Sequence, residues 1–123
     1  MPEGHTIHRA ARDHRRIFAK CTLKVESPQG RFSQGASILD GQLCLTVEAF
    51  GKHLLYRFNN HLALHVHLGL FGRIRKQKLP LQEPRGAVRV RLIGKTHAVD
   101  INGPTICRIL DSNAVTTLIN RIG

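Results

Sequence analysis

The segment from Leu43 to Gln77, LCLTVEAFGKHLLYRFNNHLALHVHLGLFGRIRKQ, constrains the fold of this chain more than any other. Its apolar runs are short, and Gly51, Asn59-Asn60, Gly69 and Gly72 punctuate them. Short β-type runs bounded by turn residues predict strand-turn-strand organisation rather than helix. Three more runs continue the pattern. In AVRVRLI, Val88, Val90 and Leu92 alternate with Arg89 and Arg91, which predicts a strand with an apolar face and a basic face. HAVDI and TICRIL flank the turn residues Asn102-Gly103 and predict two further strands.

The two ends read differently. From Pro2 to about Cys21, Ile7, Ala10, Ala11, Ile17, Phe18 and Cys21 recur at helical spacing with Arg9, Arg12, Arg15 and Arg16 between them, an amphipathic helix with a basic outer face. Leu23 and Val25 then alternate with polar residues up to Ser27-Pro28, and Gly30 and Gly35 break the pattern into a loop. Near the end, Val115, Leu118, Ile119 and Ile122 return to helical spacing behind a capping Asp111 or Ser112, with Gly123 where a helix-terminating glycine sits. A chain of 123 residues forms one domain. The expected architecture is mainly β with flanking helices, a β-sandwich with an N-terminal helix and a C-terminal helix.

Lysine and arginine number 19 against 8 acidic residues, a formal charge of +11. Such an excess favours a polyanionic partner, because each phosphate neutralised by a basic side chain releases counterions. Nucleic acid fits best, and an anionic membrane surface is the rival. The first residues lack the apolar core of a signal peptide, and no apolar run approaches a membrane span. Cys21, Cys44 and Cys107 include no C-x-x-C pair and read as small buried hydrophobes rather than a disulfide or zinc framework. A cytoplasmic location is the expectation.

The opening MPEGHT carries the chemistry. Removal of Met1 would leave Pro2 with a free secondary amine, and an α-amino group titrates near neutrality, at about 8. Attack on a sugar carbon by such an amine gives an iminium that cannot neutralise itself by losing an N–H proton, so it acts as an electron sink. Glu3 beside it is a candidate general acid or base. The same two residues also suit an ordinary helix start. His65 and His67 lie two apart on one strand face; a metal pair lacks an evident third ligand, and hydrogen-bonded histidines are the other reading. Taken alone, Lys52 is an ordinary surface lysine. Leu70 and Phe71 taken alone suit a core, although Gly69 and Gly72 around them favour an exposed tip.

The opening MPEG, the Gly-Lys segment AFGKHLLYRF, the loop HVHLGLFGR and the stretch NGPTICRILD follow one another in an order that resembles the Fpg/Nei family of DNA glycosylases, the formamidopyrimidine-DNA glycosylase and endonuclease VIII enzymes. The resemblance spans the whole chain. It implies the N-terminal catalytic half of a two-domain enzyme, residues 1-123, without the helix-two-turn-helix and zinc-finger part. Zinc, where such enzymes bind it, then belongs to that other part, and no cofactor is implied for this chain. The resemblance implies base-excision repair of double-stranded DNA with oxidised bases or abasic sites, by a monomer acting as glycosylase and AP lyase. Pro2 is then the nucleophile, Glu3 the adjacent acid and Lys52 a phosphate-contacting catalytic lysine. His67 lies near the DNA without a metal, and Leu70 and Phe71 enter the duplex where the lesion nucleotide leaves the stack. Arg31, Arg73, Arg75, Arg89 and Arg91 are candidate phosphate contacts.

Two departures qualify the resemblance. The family opening reads Pro-Glu-x-Pro-Glu, whereas His5 and Thr6 replace the second pair, so a carboxylate thought to assist in the site is absent. PEGHT and Leu70 also sit closer to the endonuclease VIII branch, which prefers oxidised pyrimidines and abasic sites. The alternatives are a non-catalytic basic DNA- or RNA-binding domain, indifferent to Pro2, and an RNA-associated structural protein, which leaves the Gly-Lys and HLGLFG segments unexplained.

Overall fold

The computed structural model describes residues 4–122. The chain runs α1 (Gly4–Phe18), β1 (Cys21–Thr22), β2 (Lys24–Glu26), α2 (Ser33–Leu39), β3 (Leu43–Phe50), β4 (His53–Phe58) and β5 (Ala63–His67). It continues through β6 (Arg73–Lys78), β7 (Val88–Ile93), β8 (His97–Asn102), β9 (Ile106–Leu110) and α3 (Ser112–Ile122). Among the described residues the strands form two antiparallel sheets, of order β1-β3-β4-β5-β9 and β2-β7-β8-β6. The expected sandwich with a helix at either end is the observed one.

Strand alternation divides the apolar residues into two cores. Leu54, Tyr56 and Phe58 of β4 and Leu64 and Val66 of β5 face Val90, Leu92, Val99 and Ile101 of the second sheet. Ile7, Ala11 and Phe18 of α1 belong to the same core, at the spacing that puts them on one helical face. Leu55 and Ala63, on the opposite face of the first sheet, pack with Leu110 and with Val115 and Leu118 of α3. Asp111 caps α3, accepting a 2.8 Å hydrogen bond from the Ala114 amide.

Three boundaries differ from expectation. The first helix stops at Phe18 rather than Cys21, because Lys20 takes a left-handed φ of 64° and its amide donates to the Cys44 carbonyl at 2.7 Å. Cys21 is thereby a strand residue of the first sheet. The run through Leu23 and Val25 is not one strand: β1 pairs with β3 in the first sheet and β2 with β7 in the second, so these six residues pass from layer to layer. The loop expected around Gly35 contains α2, which buries Ala36 and Leu39. A Cβ at Gly35 would stand 2.3 Å from the Phe32 ring, so a larger residue there would displace that ring. Gly123, Pro2 and Glu3 lie outside the described residues. No helix among the described residues is long and apolar enough to cross a membrane.

The alternation in β7 does not produce a free basic face. A register shift between Val88 and Val90 inserts Arg89 as an extra residue. Arg91 is only 3% exposed and makes two hydrogen bonds to Asp100, Nε to Oδ1 at 2.7 Å and Nη2 to Oδ2 at 2.8 Å. Register places Glu26, Arg91, Asp100 and Arg75 opposite one another across β2, β7, β8 and β6, a row of alternating charge over the sheet. The carboxylate of Asp100, then Glu26 and Glu83, raise the Arg91 pKa above its ordinary value. Arg91 is therefore a structural ion-pair residue, and its reading as a phosphate contact is corrected. Loss of one partner strands a buried charge, so Asp100→Asn or Arg91→Met alone should cost about 3–5 kcal/mol in urea unfolding, with the double change to Met and Leu costing much less.

Candidate nucleic-acid interface

Two turns meet at one end of the first sheet. Gly51 turns β3 into β4 with a φ of +59°, leaving Lys52 exposed at the tip. His53, the first residue of β4, is the register partner of His67, the last residue of β5. Ile122, at the end of α3, lies 3.4 Å from where a Gly51 Cβ would stand, so the last helix reaches the same turn.

Immediately after His67 the chain forms the loop Leu68–Gly72. Leu68 is buried, but Leu70 is 64% and Phe71 83% exposed, which resolves the two readings of that pair in favour of an exposed tip. The glycines enforce this. Gly69 has a φ of +67° and lies so close to Thr105 that a Cβ would overlap its hydroxyl. Gly72 donates its amide to the Leu68 carbonyl at 3.0 Å, and a Cβ there would sit 2.3 Å from that same oxygen. Both ends of the loop are pinched. Isolated exposed Leu and Phe side chains are common, but two adjacent ones held outward by backbone geometry are a built feature.

A cavity of about 480 Å³ lies between α1 and the β5–β6 region, lined by Thr6, Arg9 and His14 of the helix and by Leu70, Arg73 and Lys76. The first turn of α1 therefore adjoins the exposed loop. His14 closes the inner end, buried and sharing a 2.7 Å hydrogen bond with the Tyr56 hydroxyl. Burial lowers the His14 pKa to about 4, Asp13 opposing and Lys76 adding to the effect, and burial raises that of Tyr56. Lys76 also reaches Asp13 at 3.7 Å, tying the edge strand β6 to the helix.

His65 is fully buried and hydrogen-bonded, as one of the two readings required: its Nε2 lies 2.9 Å from His53 Nδ1, and its Nδ1 accepts from Arg108 Nε at 3.1 Å. Burial first, then the Arg108 charge and the neighbouring histidines, lower its pKa to about 4. Burial, His67 and Arg108 lower that of His53 as well. Among the described residues no group of three or more His, Cys, Asp or Glu side chains is placed to hold a metal ion. The three cysteines are free thiols, and burial raises Cys44 and Cys107 to about 12, so neither is a thiolate near neutrality.

The residues singled out from the sequence thus separate. Lys52, His67, Leu70, Phe71 and Arg73 converge on one end of the sandwich. Arg75 lies further along β6 in the charge row, and Arg31 shares a shallow groove with Cys107 and Arg108. Arg89 is half-buried with its Nε enclosed and unpartnered. Sequence reasoning missed His14, His53 and Arg108, which are tied in through pairings 42, 12 and 43 residues apart. The only sequence signal was adjacency, His53 following Lys52.

Fold and site together define a basic, helix-flanked β-sandwich that presents an exposed apolar loop beside a lysine turn. The chain matches the model of the formamidopyrimidine-DNA glycosylase N-terminal domain over residues 1–109, and it belongs to that family. It is 43% identical over 127 residues to proteins named endonuclease 8 1 of Mycobacterium bovis and Mycobacterium tuberculosis, covering all of this chain and 47% of theirs. The chain therefore spans about half the length of these curated relatives, whose name agrees with the endonuclease VIII side of the resemblance. Similar solved structures include MutM in complex with DNA containing carbocyclic 8-oxo-G, at TM-score 0.81 and 15% identity, covering 98% of this chain and 49% of that one. Lactococcus lactis Fpg in complex with N7-benzyl-Fapy-dG DNA gives the same TM-score and identity over 98% and 48%. At such identity these two establish the fold.

Two outcomes test this geometry. Gly72→Ala should destabilise the protein by about 1–3 kcal/mol in thermal or urea unfolding, whereas Leu70→Ser and Phe71→Ser should leave stability within about 0.5 kcal/mol. His14 and His65 hold pKa values of about 4 when folded, below the ordinary 6.5. Between those values the unfolded chain binds more protons, so stability should fall as pH drops from 6.5 toward 4, by about 1.4 kcal/mol per pH unit for each histidine. Urea unfolding at several pH values measures the slope, and His14→Gln should remove about one proton from it.

Proposed function

We propose that this chain is the N-terminal catalytic domain of a base-excision-repair DNA glycosylase with AP lyase activity, acting in the cytoplasm on double-stranded DNA. Oxidised pyrimidines and abasic sites are the substrates, and the working unit is a monomer. The observation that carries the reading is the pair Leu70 and Phe71, held out of the fold by Gly69 and Gly72 next to Lys52, His67 and the first turn of α1. A base reached by an amine on the protein must leave the stack, at a cost of a few kcal/mol, and an apolar pair on a rigid loop is suited to occupy the gap. Lys52, His67 and Arg73 are suited to hold phosphates on either side, and Arg31, Arg75 and Arg89 are more distant candidates.

In the proposed reaction Met1 has been removed. The Pro2 nitrogen attacks C1′ of the lesion nucleotide, the C1′–N bond breaks, and the base leaves with a proton. Glu3 protonates the ring oxygen as the C1′–O4′ bond opens, giving an iminium between Pro2 and C1′. Loss of a C2′ proton expels the 3′ phosphate, a second elimination expels the 5′ phosphate, and water releases Pro2. No step requires a metal or cofactor from this chain, and any zinc belongs to a further domain of the family type. His5 and Thr6 stand where the family has Pro-Glu, a change that bears on which bases are excised and how efficiently while leaving the Pro2 nucleophile in place.

Borohydride trapping on a duplex with one abasic site tests the reading, after mass spectrometry establishes that the chain begins at Pro2. A covalent adduct mapped to Pro2 and lost in Pro2→Gly is expected. Leu70→Ala with Phe71→Ala should lower the trapping rate about tenfold or more. A processed chain that binds the duplex yet never cross-links would overturn the catalytic reading in favour of a DNA-binding domain.

A further inference from the structure

A hydrogen-bonded chain of side chains lies beneath the Lys52 turn. Register places His53 opposite His67, and His65 opposite both Leu55 and Arg108, so the three histidines and the arginine share one face of the first sheet. On that face Leu55 and Ala63 pack with Val115 and Leu118 of α3; His65 is fully buried there, while Arg108 is exposed. The links are Arg108 Nε to His65 Nδ1 at 3.1 Å and His65 Nε2 to His53 Nδ1 at 2.9 Å. His67 lies against His53 with the rings tilted by 36° and their centroids 4.5 Å apart.

The direction of this chain follows from elementary donor and acceptor capacity. A guanidinium only donates, so His65 Nδ1 must accept. A neutral His65 then carries its proton on Nε2 and donates it to His53 Nδ1. His53 must in turn carry its own proton on Nε2, on the far side of the ring. Protonating His53 Nδ1 would set two N–H groups against each other at 2.9 Å, so the intact chain holds His53 neutral. The lowered pKa values of both histidines agree with this arrangement.

We propose that Arg108 and His65 are positioning residues that fix the tautomer of His53, so that His53 presents a neutral Nε2–H donor to a nucleic-acid phosphate between Lys52 and His67. A neutral donor adds direction without adding charge. Lys52 supplies attraction that any phosphate satisfies, whereas the His53 N–H satisfies only a phosphate oxygen on its axis, which would set where the backbone rests relative to the Leu70–Phe71 tip. This inference rests on the reading of this end as the DNA-contacting surface, and it does not depend on Pro2 chemistry.

His65 is the informative position because it is neutral, so replacing it leaves the charge of the surface unchanged. Gln in its place can still accept from Arg108 through Oε1 and donate to His53 through Nε2; Leu can do neither. Binding of an undamaged duplex at fixed salt should weaken about tenfold in His65→Leu and stay near wild type in His65→Gln. The slope of log affinity against log salt should be the same in all three, since no ion pair is lost. Long-range proton–nitrogen NMR of the wild-type imidazoles should show both His53 and His65 protonated on Nε2, with the His53 assignment lost in His65→Leu. Unfolding curves for both variants separate a binding loss from a folding loss.

His53 protonated on Nδ1, or His65→Leu binding as wild type, would overturn the proposal. Equal losses in Gln and Leu would also do so, by showing that shape rather than direction matters. If the wild-type chain fails to bind duplex at low salt, the interface and this proposal fall together. If binding and the Leu–Gln contrast hold while trapping fails, this proposal stands and the Pro2 mechanism does not.

Discussion

Strands β4 and β5 of the first sheet are buried on both faces, and most of the molecule follows from that. Leu54, Tyr56 and Val66 face the sandwich core while Leu55, Ala63 and Leu110 face α3. Strands covered on both sides have only their ends available to a partner. β4 and β5 are also interior strands, paired on either side by β3 and β9. What remains is the end where β3 turns into β4 and β5 leaves for β6. Lys52, His67 and the Leu70–Phe71 tip all lie there, and the polar members of the α3-facing side, His53 and His65, lie just inside it.

Rigidity at that end has two sources of different kind. The loop is held by steric exclusion: the backbone approaches itself at Gly72 and Thr105 at Gly69, so no side chain fits on either. The histidine chain is held by hydrogen-bond direction, beginning at a group that cannot accept. Burial reinforces the second, because in a low-dielectric setting an unmatched donor costs more than it would in water. A surface that must grip a flexible polyanion gains from both, since charge alone attracts without fixing register.

Period-2 alternation makes strands easy to see and their outer faces hard to interpret. AVRVRLI reads as a strand with exposed guanidinium groups, and the strand is there. Arg91 is nonetheless inside, because Asp100 lies opposite on β8 and Glu26 opposite on β2. Nothing local to β7 reveals those partners, which are 9 and 65 residues away in sequence. A bulge then displaces Arg89 from the alternation altogether. Local pattern shows that a side chain is charged and on the opposite face from valine; whether that face meets water depends on the register of two neighbouring strands.

The sequence by itself determined the strand-rich class, the helix at either end, a cap at Asp111 or Ser112, the basic character and, through the order of four short segments, the family. Those properties rest on spacing, turn chemistry and composition, all of which act over a few residues. The glycines around Leu70 and Phe71 already pointed to a tip, although the apolar pair itself pointed to a core, and only the exposure of the two side chains decided between them. Tertiary structure alone decided that residues 21 to 26 cross from one sheet to the other, that Arg91 neutralises Asp100, and that His14 pairs with Tyr56. It alone assembled Arg108, His65 and His53 into a line. Each of these depends on which strand lies beside which, and that is set by the burial of the whole apolar surface at once rather than by the preference of any one segment.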